Sequence, residues 1–232
     1  MQSRVWIFLF AIIVFPLSQV SAQFFKIEKI DYGVKAGLNV SGLDLVSPNS
    51  NTNNKLSGAK YHSRVDFHLG GYATLKFKKK LALQPELLFS RQGQLYSTSR
   101  YSNLRTRLSY INIPVLIKYY PTKWLNVYAG PQVGFLVGAK GDMVPSNNVG
   151  GVATMLSDVK QYMNVIDFSL TGGLGLEFPK GISASVRYNF GFSDINKFKG
   201  GSTTPSFSTA RTLNQVIQIS LGYKLNQAKK KD

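Results

Sequence analysis

The sequence predicts an all-β fold in which eight antiparallel strands close into an up-and-down barrel that spans a membrane. Long segments alternate between apolar and polar residues with a period of two, which places successive side chains on opposite faces of a strand. The connections between these segments alternate between long and short. The composition, with 21 Gly, 15 Phe, 12 Tyr and no Cys, favours strands and turns and excludes disulfides, thiol nucleophiles and cysteine metal ligands.

The N-terminal segment has the three parts of a secretory signal. Arg4 precedes the apolar run 5–15, and Val20 and Ala22 occupy the small-residue positions before a cleavage expected ahead of Gln23. The run is shorter than the ~20 residues of a spanning helix, which argues against an uncleaved anchor. We expect a signal peptide at 1–22, a periplasmic lead-in at 23–30, the barrel domain at 31–225 and a basic periplasmic tail at 226–232.

The first three predicted strands cover residues 32–43, 65–77 and 81–91. In the first strand, Val34 and Leu38 share one face, whereas Gly33 and Lys35 share the other. The segment 44–64 is rich in Asn and Ser and predicts a long loop. Residues 78–80 leave space for a short turn, and the basic segment 92–106 predicts a second long loop.

The clearest alternation lies in residues 110–138, which predict strands four and five as a hairpin around the turn 121–124. Ile111, Ile113 and Val115 fall on one face of strand four. Each half is longer than the usual strand of about 5–6 residues and suits the about 9–11 residues of a membrane-crossing strand. Tyr119 and Trp124 gather near the turn, as aromatic residues do at a membrane interface.

The last three predicted strands cover residues 165–178, 182–192 and 213–225, with a tight turn at 179–181. The loops 139–163 and 193–211 are long, and the first could contain a short helix or a strand extension around 153–159. Short turns on one side and long loops on the other are typical of outer-membrane barrels, in which the short turns face the periplasm.

The distribution of charge favours a lipid-facing apolar surface over the apolar interior of a soluble lipocalin-type barrel. An Arg or Lys side chain on a lipid-facing surface costs about 2–4 kcal/mol near the bilayer midplane. The apolar face of the predicted strands carries almost no charged residues. The other face is rich in glycine and holds charges of both signs, as expected inside a narrow barrel whose lumen is filled by side chains, without an open pore. The predicted lumen polar network comprises Lys35, Asp66, Lys76, Glu86, Lys118, Asp167, Glu177, Arg187 and Lys224.

We expect ion pairs between Glu86 and Arg187 and between Asp66 and Lys35, because buried charges require partners. A proton or ion path along these residues is the alternative. The two histidines, His62 and His68, are expected in a loop and in the lumen. A lipid-modifying site near the outer rim at His62 is a further alternative, but the sequence favours no catalytic residue, cofactor or metal site.

The formal charge of +17 indicates anionic neighbours, and export makes nucleic acid the weakest candidate. A basic loop around 92–106 is expected to face lipopolysaccharide phosphates, which Arg and Lys bind well. Its residues are Arg91, Arg100, Arg105 and Arg107. Other expected partners are outer-membrane lipids and, during biogenesis, the barrel assembly machinery.

Four phrases, at 33–39, 83–90, 110–119 and 128–131, resemble the PorT-like outer-membrane β-barrel proteins of Bacteroidetes. The resemblance covers nearly all of the chain after the signal and implies location in the outer membrane. It also implies an alternative role as an accessory component of a type IX-like protein secretion system. The segment 226–232, in which six of seven residues are polar, departs from barrels that end on an aromatic residue of the last strand. The function predicted from the residues is a non-enzymatic barrel with a structural or surface-interaction role.

Overall fold

Nine strands contain most of the residues that the structure describes. The structure is a computed structural model, which describes residues 27–46, 60–78, 80–97, 101–145, 155–158, 160–195, 197 and 211–226. The predicted signal peptide therefore lies outside the described residues. The strands are β1 (Lys29–Val46), β2 (Lys60–Lys78), β3 (Leu81–Ser97), β4 (Tyr101–Tyr119), β5 (Leu125–Pro145), β6 (Met155–Asp158), β7 (Ile166–Glu177), β8 (Ile182–Gly191) and β9 (Arg211–Lys224).

Eight of these strands close into an antiparallel ring in the order β1-β2-β3-β4-β5-β7-β8-β9, because β9 pairs with β1. The short β6 pairs with the outer end of β5, from Lys140 to Met143. Closure gives each strand of the ring two partners, which a sheet needs in hydrocarbon because lipid cannot hydrogen-bond to an open edge. The predicted eight-stranded barrel is confirmed, and of the two alternatives for 153–159 the strand extension is correct.

The first five strands extend well past their predicted outer ends. They contain 17 to 21 residues each, whereas β7, β8 and β9 contain 12, 10 and 14. β3 and β4 remain paired as far as Tyr96 opposite Leu104, so the predicted loop 92–106 is mostly strand. Apolar–polar alternation fades where both faces of a wall leave the bilayer, although the backbone pairing continues. β1 likewise starts at Lys29, within the predicted lead-in.

Short turns join the strands at the opposite end of the barrel, as predicted. Residues 120–124 connect β4 to β5, and a 3-10 turn at Pro179–Gly181 connects β7 to β8. Lys180 and Gly181 have φ angles of 62° and 74° there, so this turn uses the left-handed region. No helix among the described residues is long and apolar enough to cross a membrane.

The two faces of the barrel wall differ as the sequence predicts. Large apolar side chains point outward; Ile117 and Leu221, for example, are 63% and 66% exposed. Most inward positions hold polar side chains and glycines. A Cβ atom at Gly37 or Gly70 would overlap the backbone carbonyl oxygen of a neighbouring strand, at Ile219 or Leu87. Glycine on the inner face therefore allows the strands to approach closely around a narrow lumen.

Candidate functional site

The centre of the lumen contains one carboxylate between two cations from different strands. Glu86 on β3 accepts from Arg187 Nη1 of β8 at 2.8 Å and from Lys35 Nζ of β1 at 3.1 Å. The Arg187 and Glu86 side chains are completely buried. Gln84 donates its Nε2 to the same carboxylate at 2.6 Å. This arrangement, called here the central ion cluster, ties together three strands on different sides of the ring.

Toward the periplasmic end, hydrogen bonds continue from the central ion cluster to the turn region. Lys118 Nζ donates to Gln84 Oε1 at 3.1 Å and lies 3.4 Å from Glu177 Oε1. The Tyr120 hydroxyl donates to the same Glu177 oxygen at 2.7 Å. Burial and the adjacent Glu177 carboxylate raise the pKa of the Tyr120 phenol, because both disfavour the phenolate.

Toward the extracellular end, a chain of neutral amides and hydroxyls continues from Arg187 and ends on the Asp167 carboxylate. The donor–acceptor distances lie between 2.5 and 3.1 Å. In order, the residues are Gln218, Asn39, Ser90, Gln92, Asn214 and Asp167. Ser193, just beyond β8, donates to Asp167 Oδ1 at 2.5 Å. The connected series from Ser193 to Tyr120, called here the lumen chain, runs along most of the barrel interior.

An apolar cluster fills the outer part of the interior beside the lumen chain. It consists of Leu108, Tyr110, Leu136, Ala139 and Ile195, each at most 2% exposed. Ile195 comes from the segment after β8, and its carbonyl accepts from the Asn164 backbone amide at 2.9 Å. The segment after β8 thus folds over the opening and contributes to closing the outer end.

Asp66 and Lys35 do not form the expected pair. Asp66 pairs with Arg64 on its own strand, and Lys35 pairs with Glu86. The strand register gives the reason, because Lys35 lies opposite Gly70, four residues along β2 from Asp66. At about 3.3 Å per residue, the two side chains start about 13 Å apart. Asp167 accepts hydrogen bonds from Ser193 and Asn214, which are neutral.

Lys76 and Lys224 lie at the periplasmic mouth, where they surround a carboxylate that the sequence analysis missed. Asp31 Oδ2 is 3.4 Å from Lys76 Nζ and 3.5 Å from Lys224 Nζ, and Asp31 Oδ1 is 3.5 Å from Lys29 Nζ. The predicted first strand begins at Tyr32, which leaves Asp31 in the barrel domain but outside the predicted strands. Extending the inward alternation of Gly33 and Lys35 by one step would have placed it in the lumen.

These residues line a cavity of about 390 Å³ that opens at the periplasmic mouth. Its wall also includes Lys35, Lys118 and Glu177 from the inner end of the lumen chain. Its deep side is bounded by Gln84 and Lys35, so the central ion cluster separates it from the outer half of the barrel. Among the described residues, no group of three or more His, Asp or Glu side chains is arranged to hold a metal ion.

His68 takes part in an arrangement that resembles a catalytic triad. Its Nε2 is 2.8 Å from Ser220 Oγ, and its Nδ1 is 2.7 Å from Asn39 Oδ1. Acyl transfer, however, requires a nucleophile that a substrate can reach. All three side chains are at most 2% exposed, and Ser220 does not line the periplasmic cavity. The arrangement therefore serves as a hydrogen-bonded part of the lumen. His62 lies in β2 opposite Leu95, and its side chain is outside the described part.

The predicted basic loop is wrong as a loop, because its described arginines lie on strands. Arg91 on β3 points outward and lies 5.7 Å from the ring of Phe67. Arg107 on β4 lies directly opposite Lys140 of β5. Arg105 belongs to β4, although its side chain is not described, and Arg100 lies outside the described residues. Arg91, Arg107 and Lys140 form what we call the outer-wall basic patch.

A family model for the outer membrane protein beta-barrel domain matches residues 18–197. The chain belongs to this family. The match and the closed barrel with its apolar outer surface assign the protein to the outer membrane. The family match ends before β9, the strand that closes the ring against β1. A search of curated proteins found no match.

Among solved structures, the chain is similar to three small outer-membrane proteins. Ail, the attachment invasion locus protein of Yersinia pestis, has 10% identity and a TM-score of 0.46, covering 84% of this chain and 99% of that chain. Neisserial surface protein A has 11% identity and a TM-score of 0.45, and the match covers 85% of this chain and 99% of that chain. OprG from Pseudomonas aeruginosa has 15% identity and a TM-score of 0.43, and the match covers 85% of this chain and 96% of that chain. These likenesses carry no functional argument.

Proposed function

We propose that the protein is a non-enzymatic outer-membrane barrel whose lumen is plugged and whose role is structural or one of surface interaction. The lumen chain supports this proposal most strongly. It crosses the interior from Ser193 to Tyr120 through direct side-chain hydrogen bonds, with the buried Arg187 and Glu86 at its centre. A water-filled channel would require these side chains to part and leave buried charges without partners.

The composition of the lumen chain also argues against a proton path. Its outer half passes through the primary amides of Gln218, Gln92 and Asn214. A neutral amide donates and accepts hydrogen bonds but does not titrate near neutral pH, unlike the Asp, Glu and His side chains of proton relays. The apolar cluster around Leu108 and Leu136 adds a second barrier at the outer end.

Electrical recording from the purified protein in planar lipid bilayers tests the plugged lumen. We expect no discrete current steps from the wild-type barrel. The double variant Arg187→Ala/Gln218→Ala removes two side chains from the middle of the lumen chain, and a folded preparation should conduct. Heat-modifiable migration on a gel checks that both proteins are folded. Steady ion conduction by the wild type would contradict the proposal.

For the surface role, the outer-wall basic patch supports lipopolysaccharide as the partner. Arg91, Arg107 and Lys140 lie on adjacent strands β3, β4 and β5, beyond the apolar belt on the long-strand side of the wall. Arg and Lys at this level face the zone in which the phosphates of an outer leaflet would lie. Arg107 and Lys140 are direct cross-strand neighbours, which brings two positive charges together on this part of the wall.

Co-purification of lipopolysaccharide tests this surface role. The Arg91→Ala/Lys140→Ala variant should retain less lipopolysaccharide per barrel than the wild type. The matched control is Lys123→Ala/Lys180→Ala, which removes two positive charges from the periplasmic turns. Equal retention by the wild type and both variants would show that the outer-wall basic patch is not the contact.

We further propose that the chain groups with the PorT-like barrels of Bacteroidetes, on the support of the sequence phrases at 33–39, 83–90 and 110–119. An accessory role in type IX-like secretion rests on that grouping alone. Deletion of the gene distinguishes the two roles. Loss of cargo export would favour the secretion role, whereas altered envelope permeability or adhesion with intact export would favour the structural role.

A further inference from the structure

The periplasmic cavity has a large excess of positive charge. Six of its lining residues are lysines, whereas its lining carboxylates are Asp31 and Glu177. The lysines are Lys29, Lys35, Lys76, Lys118, Lys180 and Lys224. Lys35 and Lys118 are paired inside the lumen with Glu86 and Glu177. The remaining excess lies around Asp31 and at the rim.

Three ammonium groups share the single Asp31 carboxylate. Lys29, Lys76 and Lys224 lie 3.4–3.5 Å from its oxygens, beyond the about 2.7–2.9 Å of a close charge-assisted hydrogen bond. The Asp31 side chain is 4% exposed, whereas those of Lys76 and Lys224 are 29% and 26% exposed. One negative charge therefore faces three positive ones in a partly enclosed space. Their mutual repulsion is weakly screened there, which favours entry of another anion.

We propose that this cavity binds a phosphate-bearing anion on the periplasmic side, with Lys76 and Lys224 as its main contacts. Lysine binds phosphate as a compact point charge with three donors. The volume of about 390 Å³ lies within the range of small-molecule sites. The central ion cluster closes the cavity on its deep side, so the site is a blind pocket and binding involves no transport through the barrel.

The position of the cavity favours a soluble phosphate compound over a lipid headgroup. The lysines project inward from β1, β2 and β9, and the strands separate them from the lipid around the barrel. A headgroup would have to bend over the rim of the barrel to reach Asp31. A solute enters directly from the periplasm.

Isothermal titration calorimetry on the purified full-length barrel in maltoside micelles tests the site, with inorganic phosphate as the probe and chloride of equal ionic strength as the background. We expect saturable binding by the wild type. The Lys76→Met/Lys224→Met variant should bind at least about tenfold more weakly, as expected for the loss of two charged contacts. The control Lys160→Met/Lys197→Met removes two charges that do not line the periplasmic cavity and should leave the affinity unchanged.

Asp31→Asn provides the second variant. It removes the internal anion that competes for the same lysines, so phosphate should bind more tightly than to the wild type. A parallel titration with dihexanoyl phosphatidic acid distinguishes the two sources of phosphate. Tighter binding of that lipid than of inorganic phosphate would overturn the assignment to a solute. Absence of saturable binding by the folded wild type, or equal affinity in the Lys76→Met/Lys224→Met variant, would overturn the site itself.

Discussion

The inner and outer halves of the lumen chain are built from different chemistry. The inner half is charged, with Glu86, Lys35, Arg187, Lys118 and Glu177 in contact. The outer half consists of neutral amides and hydroxyls that end on one carboxylate and lie beside an apolar cluster. Charges are thus concentrated toward the end where the periplasmic cavity admits water. From this difference we expect the central ion cluster to provide most of the attachment across the barrel.

The largest effect is expected from Glu86→Gln, which removes the only carboxylate that contacts both Lys35 and Arg187 in the described structure. Two cations would then be buried without a counterion. Removing one partner of a buried pair costs about 3–5 kcal/mol of the free energy of unfolding. Urea denaturation in micelles, followed by heat-modifiable gel mobility, measures the change.

Glu177→Gln is the matched control for this substitution, because the Glu177 side chain is 29% exposed and forms its ion pair with Lys118 near the periplasmic mouth. Its loss should cost clearly less. If the Glu86 and Glu177 variants were equally stable, the central ion cluster would not dominate the attachment across the barrel.

A smaller effect is expected from Gly37→Ala at the junction of the two halves. The new Cβ would overlap the carbonyl oxygen of Ile219 and approach His68 Cε1 at 2.8 Å. No change of rotamer moves a Cβ, so β1 and β9 must separate. Overpacking of this kind costs about 1–3 kcal/mol, measurable by the same denaturation.

Gly71→Ala is the control on the lipid-facing side of β2. Its Cβ would meet only an ordinary contact, 3.5 Å from the Gly33 carbonyl oxygen. If the Gly71 variant lost as much stability as the Gly37 variant, the destabilisation by Gly37→Ala would come from general strand distortion and not from crowding in the lumen.

Much of this organisation follows from the period-two pattern. The pattern predicts eight strands, the outward apolar face and the inward positions of Glu86, Arg187 and Lys118, because side-chain direction alternates strictly along a strand. The pattern does not predict which inward charges form ion pairs, because that depends on the stagger between strands. Asp66 and Lys35 both point inward yet lie at different heights. The outer ends of the strands were also missed, because above the bilayer neither face needs to be apolar.

The triad-like contact of His68 with Ser220 was likewise beyond the sequence, since these residues come from β2 and β9, 152 positions apart. Asp31 is different, because its inward position followed from the alternation. The apolar pattern becomes clear only at Tyr32, so the predicted first strand begins one residue too late to include Asp31.

Asp167→Asn examines the outer half directly. Asp167 accepts hydrogen bonds from Ser193 Oγ and Asn214 Nδ2. Both donors are neutral, so no buried cation loses its partner. We expect a loss of about 1.5 kcal/mol, the lower end for hydrogen bonds to a charged group. A loss as large as that of Glu86→Gln, in the same denaturation assay, would show that the outer half depends on charge as strongly as the inner half.

The smallest effect is expected from Tyr120→Phe at the periplasmic end. The substitution removes the hydroxyl that donates to Glu177 Oε1 at 2.7 Å but keeps the ring, over which Lys118 and Lys76 lie at 5.4 and 5.1 Å. One hydrogen bond contributes about 0.5–1.5 kcal/mol, and here water at the mouth can replace the lost donor. We expect a change at the lower limit of this range. Tyr119→Phe, on the outward face of β4, is the control and should be neutral. A loss of stability larger than that of Asp167→Asn would mean that the Tyr120–Glu177 hydrogen bond is shielded from water, contrary to the water access inferred at the periplasmic mouth.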